Sequence, residues 1–254
     1  MLNRALVILL PLLLSACGGD QATTSTAMIL LPASSTPPPA VPATPPPPPA
    51  PAPPATPSTA TPPPTPASAA GDGKIVVVAE GDSISVLWSG NHTGLYGASR
   101  PDIELHGLAV GGSMMTTMTA RIDKVLALKP DLVSILIGAN DLGGQPSAQE
   151  YADQLKPYVD KIRATGAKVV VGTVLPQSIY DYARFNSLRK ELAAILKAAP
   201  WIDGVADFGG DSLIGPDKAA FDIALYPDGL HPARQDIMFN VYKPAMDKLA
   251  FDVR

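Results

Sequence analysis

The chain has 254 residues, 29 of them proline, and a formal net charge of −4. The acidic balance and the absence of any Lys/Arg cluster exclude a nucleic-acid binder, which needs a basic stripe. Every charge except Arg4 and Asp20 falls after residue 70, so composition alone separates two kinds of chain.

The N-terminus reads "MLNRALVILLPLLLSAC". Arg4 is followed by an apolar run of roughly ten residues, too short to span a bilayer, which needs about 20. Residues 1–16 read as a signal peptide. Leu14-Ser15-Ala16-Cys17 resembles the bacterial lipobox, in which the cysteine is lipidated; an ordinary secretory signal is the alternative. Cys17 is the only cysteine, and lipidation accounts for an unpaired thiol in an exported chain. The resemblance implies a lipoprotein, anchored to the outer membrane on its periplasmic side if the host is Gram-negative. Residues 17–72 hold most of the prolines and almost no large apolar side chains. They cannot bury a core, and the expectation is a disordered, PPII-rich spacer. The remaining residues, 73–254, suffice for one domain.

Within that domain, "KIVVVAE" (74–80) is a continuous, β-branched strand pattern. Further strands are expected at 103–110, 131–138, 167–175 and 202–208. Helical spacing fills 113–129, 147–166 and 180–199. A last helix over 232–250 is expected to be kinked or interrupted at Pro244. The alternation predicts a three-layer α/β/α domain around a mainly parallel five-stranded sheet. Ligands of such folds bind beyond the carboxyl ends of the strands.

Few chemically useful residues stand there. Gly81-Asp82-Ser83 follows the first strand, Gly111-Gly112-Ser113 the second, and Gly138-Ala139-Asn140-Asp141 the third. "YPDGLHP" (226–232) precedes the last helix. Alone, Ser83 reads equally as a helix cap or a nucleophile, and the glycines as turns. Together they supply acyl-transfer chemistry. A serine needs a base and a carboxylate to orient it, and Asp228 and His231 stand three residues apart. A developing oxyanion needs donors, for which the Ser83 and Gly112 amides and the Asn140 side chain are candidates.

These residues resemble the SGNH (GDSL) hydrolase superfamily. "GDSIS" matches its first block with Ser83 as nucleophile, "AVGGS" the second with Gly112, "GAND" the third with Asn140, and "DGLH" the fourth with Asp228 and His231. "RFNSLRKEL" also resembles a helix of that family. The second block departs from the pattern: the upstream asparagine is replaced by what aligns as Gly107, and Gly111 competes with Gly112 as the block glycine. The resemblance implies a flavodoxin-like SGNH fold over 73–254 and a metal-free, cofactor-free ester hydrolase.

The expected partner is an ester substrate, an acetylated glycan or a lipid, in a cell-envelope setting near peptidoglycan. Trp88, His92 and Tyr96, in the segment 86–99, and Tyr180, with Tyr182, are candidate pocket walls. His106 reads as structural. The leading reading is a carboxylic ester hydrolase of short-chain or acetyl esters. An O-acyltransferase, a lipase or lysophospholipase, a catalytically dead binding module and a structural tether are the alternatives.

Overall fold

The computed structural model describes residues 73–179 and 181–253. The signal peptide at 1–16, Cys17, the spacer over 17–72 and Tyr180 lie outside the described residues.

Five parallel strands form one sheet: β1 (Ile75–Gly81), β2 (Ile103–Gly107), β3 (Leu132–Leu136), β4 (Lys168–Gly172) and β5 (Gly204–Ala206), in the order β2-β1-β3-β4-β5. β1 pairs with both β2 and β3 and is buried along its whole length, as its unbroken apolar run requires. Two helices, α1 (His92–Ser99) and α6 (Gln235–Asp252), cover one face of the sheet. Four others, α2 (Met115–Thr119), α3 (Ile122–Ala127), α4 (Ala148–Arg163) and α5 (Tyr182–Ala198), lie on the opposite side. Alternate residues of each central strand feed the two cores: Val78, Val133, Val169 and Val171 face α4 and α5, while Val77, Leu132 and Val170 face α6. The expected three-layer parallel fold is the observed one.

The details differ in four places. The stretch 113–129 forms two short helices, because the chain breaks at Arg121. That break sends its guanidinium to buried Glu80, with Nε 3.0 Å from Oε1, and to the Gly81 carbonyl at 3.0 Å. The end of β1 is fixed by this contact. Pro244 does not interrupt α6, which runs on through Asp252. Pro244 and Asn240 are both exposed, so the carbonyl that proline cannot pair belongs to the solvent side of the helix. The buried stripe Met238, Tyr242, Met246 and Leu249 holds the helix to the sheet, where the Tyr242 hydroxyl donates to Ser134 Oγ at 2.7 Å. The strands are shorter than their patterns suggest, since apolar residues continue into the loops at their carboxyl ends.

The fourth difference is α1, in a segment expected to be a pocket-lining loop. Asn91 caps it, its side-chain oxygen accepting the Gly94 N–H at 2.8 Å. His92 and Tyr96 then point inward and are almost completely buried. His92 meets Phe208 and Tyr242 edge-on, and its amide donates to Gln235 Oε1 at 3.1 Å. Burial drives its imidazole down to about 4, against the opposing hydrogen bond from Gln235, so it is a neutral core residue. The Tyr96 hydroxyl donates to Asp247 at 3.2 Å.

Gly81, at the tip of β1, adopts φ +145, and a Cβ there would come within 2.0 Å of the Leu136 carbonyl oxygen. Backbone strain and a clash with a neighbouring strand combine at this one position. Gly81→Ala should therefore cost more than about 3 kcal/mol of stability, read as a lower urea midpoint.

Candidate active site

Strand order reverses between β1 and β3, and the crevice at their carboxyl ends is where such sheets bind ligands. Ser83 opens a 3-10 turn directly after β1. Asn140 follows β3, and the Gly111-Gly112 pair follows β2. A Cβ on Gly111 would sit 3.9 Å from the Ser83 Cβ, so Gly111 lies against the serine, whereas a Cβ on Gly112 would meet open space. Gly112 has φ +74, a left-handed conformation that a side chain strains.

His231 arrives from the far end of the chain. Its Nε2 is 2.7 Å from Ser83 Oγ, and its Nδ1 is 2.6 Å from Asp228 Oδ2. The other oxygen, Asp228 Oδ1, accepts the amides of Leu230 at 3.0 Å and His231 at 2.7 Å. One carboxylate thus shapes the turn and orients the ring. Burial is the largest single influence on the Asp228 carboxyl and raises it, but the His231 amide, the imidazole and the Leu230 amide together outweigh it and hold the group at about 2. An ionised Asp228 accepts from Nδ1–H, which leaves Nε2 as the acceptor facing Ser83. All three residues reach solvent; the His231 side chain is 43% exposed.

Asn140 is held from behind. Its Nδ2 donates one hydrogen to the Ser113 carbonyl at 2.9 Å, which leaves a second hydrogen on the same nitrogen. Neighbouring Asp141 accepts the Met115 amide at 2.7 Å and the Tyr151 hydroxyl at 3.1 Å. The three loops after β1, β2 and β3 meet at Ser83, with His231 closing the fourth side.

Beside Asn140 opens a cavity of about 440 Å³. Its polar wall is Asn140, Gln177 and Asp181; its apolar wall includes Ile179, Phe185 and Leu230. His92 and Tyr96 do not line it, contrary to the sequence-based expectation, because α1 turns them into the core. Trp88 is 57% exposed and covers Gly90, away from the lining. Tyr182 is also exposed and meets Phe221 edge-on at 5.1 Å. His106 pairs with Glu104 on edge strand β2, at 2.8 Å. Ala139, Asn140 and Leu230 belong to the blocks already singled out, whereas Gln177, Ile179 and Asp181, from the loop after β4, carry no local motif.

The letters Gly-Asp-Ser occur once more, at 210–212, after β5 and followed by Leu213 where the first copy has Ile84. There Asp211 Oδ1 accepts the amides of Leu213 at 2.8 Å and Ile214 at 2.9 Å, and the turn is purely local. β5 is the sheet edge, away from the switch point, so the same three letters have no imidazole beside them among the described residues.

The GDSL-like lipase/acylhydrolase family model matches residues 79–235, more than half of the chain. The chain belongs to this family. It is by class a carboxylic ester hydrolase. Among solved structures, TesA is similar at 24% identity over 68% of this chain and 99% of its own, with a TM-score of 0.53. The lipase/acylhydrolase from Enterococcus faecalis is 21% identical over 70% of this chain and 96% of its own, with a TM-score of 0.55. A member of the lipolytic G-D-S-L family from Veillonella parvula is 17% identical over 70% and 97%, with a TM-score of 0.53. At these identities the likeness concerns the fold. No curated protein matches the sequence.

The site's carboxyls should titrate far apart. Burial pushes Asp82 up to about 6, against hydrogen bonds from the Ile84 and Ala139 amides. Asp82 therefore keeps its proton longer in the folded chain, and its contribution to stability falls as pH rises from about 4 to 6. Asp228 works the other way: its contribution is complete above about 4 and is lost as pH falls toward 2. Carboxyl-resolved NMR should find one aspartate midpoint near 6 and another near 2; two ordinary midpoints would refute this electrostatic picture.

Proposed function

We propose that the protein hydrolyses short-chain esters, such as acetyl groups on a glycan, through a Ser83–His231–Asp228 acyl-enzyme mechanism in the cell envelope. The observation that carries the reading is the continuous chain of short contacts from Asp228 to His231 to Ser83, 2.6 and 2.7 Å.

In the first step Nε2 of His231 takes the Ser83 proton while Oγ attacks the ester carbonyl. The carbonyl oxygen becomes an oxyanion beside the Ser83 and Gly112 amides and the remaining Asn140 Nδ2 hydrogen. The imidazolium then protonates the leaving alcohol, and Asp228 stabilises its charge. In the second step His231 activates water, which releases the carboxylic acid and regenerates Ser83.

The cavity favours a polar group over a long alkyl chain. Asn140, Gln177 and Asp181 give this wall hydrogen-bonding positions that methylenes cannot use. A hydroxyl-rich acyl glycan satisfies them. The envelope setting rests on the sequence: residues 1–16 as signal and Cys17 as the lipid anchor. Cys17→Ala should move the protein from the membrane fraction to the soluble one, seen by fractionation; an unchanged distribution would remove the anchor.

Ser83→Ala should abolish turnover of p-nitrophenyl acetate without lowering the melting temperature. Asn140→Ala should lower kcat by about 10²–10³-fold with the serine still reactive. Turnover should fall steadily from acetate to palmitate. A maximum at long chains would make it a lipase. Activity appearing only with an added sugar acceptor would make it an acyltransferase.

A further inference from the structure

Asp82 has a connection that a turn cap does not explain. Its side chain is buried at 1% exposure, directly before the nucleophile. Oδ1 accepts the Ile84 amide at 3.0 Å, and that bond alone would cap the 3-10 turn. Oδ2 takes a second amide, that of Ala139, at 3.4 Å. Ala139 belongs to a different strand's loop and immediately precedes Asn140. The Asp82 amide in turn donates to the Leu136 carbonyl at 3.2 Å. One buried side chain therefore spans the turn carrying Ser83 and the turn carrying Asn140.

The span continues outward. Asn140 donates to the Ser113 carbonyl, and Asp141 accepts the Met115 amide, so the Asn140 turn grips the Gly112 loop. An apolar residue of the same size at 82 would leave the amides of Ile84 and Ala139 unpaired. A protonated carboxyl would lose one of its two acceptor sites, because its hydroxyl is a donor. Only the carboxylate accepts from both turns at once.

We propose that Asp82, as a carboxylate, is a positioning residue for ester hydrolysis: it sets the separation between Ser83 and Asn140 and so aligns the oxyanion donors with the nucleophile. This rests on the catalytic roles proposed above. The charged and titratable groups that face Asp82 are Asp141 from the loop after β3, His231 from the segment before α6, and Tyr151 from α4. Asp141 disfavours its ionised form and His231 favours it, and Tyr151 feels its charge.

The experiment uses the full chain with p-nitrophenyl acetate. Rates are expressed per reactive serine, counted by organophosphate burst titration. Asp82→Asn should lower kcat about 10–100-fold with KM within about twofold, because ground-state binding is untouched. In an Asn140→Ala background the same substitution should cost less than about threefold, because the donor it positions is gone. Protonating Asp82 should reproduce the substitution, so wild-type log(kcat/KM) should carry an added step of about 10–100-fold as pH falls through about 6, and Asp82→Asn should lack that step. Equal losses in both backgrounds, or a loss confined to the number of reactive serines, would overturn the proposal. A wild-type profile without that added step also overturns it. Ser83→Ala run in parallel separates the two failures. If that variant is active, the catalytic assignment falls; if it is dead, only the role of Asp82 does.

Discussion

The site depends on one topological constraint: where the strand order of a parallel sheet reverses, a crevice opens at the carboxyl ends of the strands. Here that reversal separates β1 from β3. The loops after these strands must diverge to opposite faces, and the space they vacate is the crevice holding Ser83 and Asn140. The β2 loop crosses the top of β1, where Leu108 and Val110 donate to the Ala79 and Gly81 carbonyls. It delivers Gly111 to the serine, with Gly112 next in the chain. Only His231 and Asp228 come from outside this arrangement, and their turn brings its own scaffold in the form of the Asp228 carboxylate.

Placing polar groups at a buried strand tip has an energetic cost, and the fold meets it locally. Glu80 and Asp82 flank Gly81, and each is almost wholly removed from water. Glu80 is matched by Arg121, which required breaking a helix to reach it. Asp82 has no cation in contact and is held by backbone amides alone, so desolvation dominates its titration. Asp228, three residues from its imidazole and open to solvent, shows the opposite balance. Three acidic side chains in one neighbourhood differ because their partners differ.

The sequence makes much of this legible. Continuous β-branched runs mark the strands, and the residues after them carry recognisable blocks, so the sheet, Ser83, Asn140, Asp228 and His231 can all be anticipated. What hides is whatever lacks a period or a block. "HTGLYGAS" has two glycines and no apolar stripe, and it becomes helical through its Asn91 cap and contact with α6. A histidine nine residues from the nucleophile reads as a pocket residue until the helix turns it inward. Arg121 carries no local signal for a break, since its partner is 41 residues away. Gln177, Asp181 and Leu230 converge only through the sheet. Asp82 is visible in the first block, but its second partner, Ala139, is not.

On the proposed mechanism, the openness of the imidazole bears on what would resolve an acyl-enzyme. With His231 nearly half exposed, more than one kind of hydroxyl could reach the base. Water and a sugar alcohol would compete for the same intermediate by abundance and by how well each is held nearby. In dilute solution water prevails; along a hydrated polysaccharide, where hydroxyls crowd the mouth of the site, part of the flux would return to the glycan. Acyl groups would then migrate along the polymer as well as leave it.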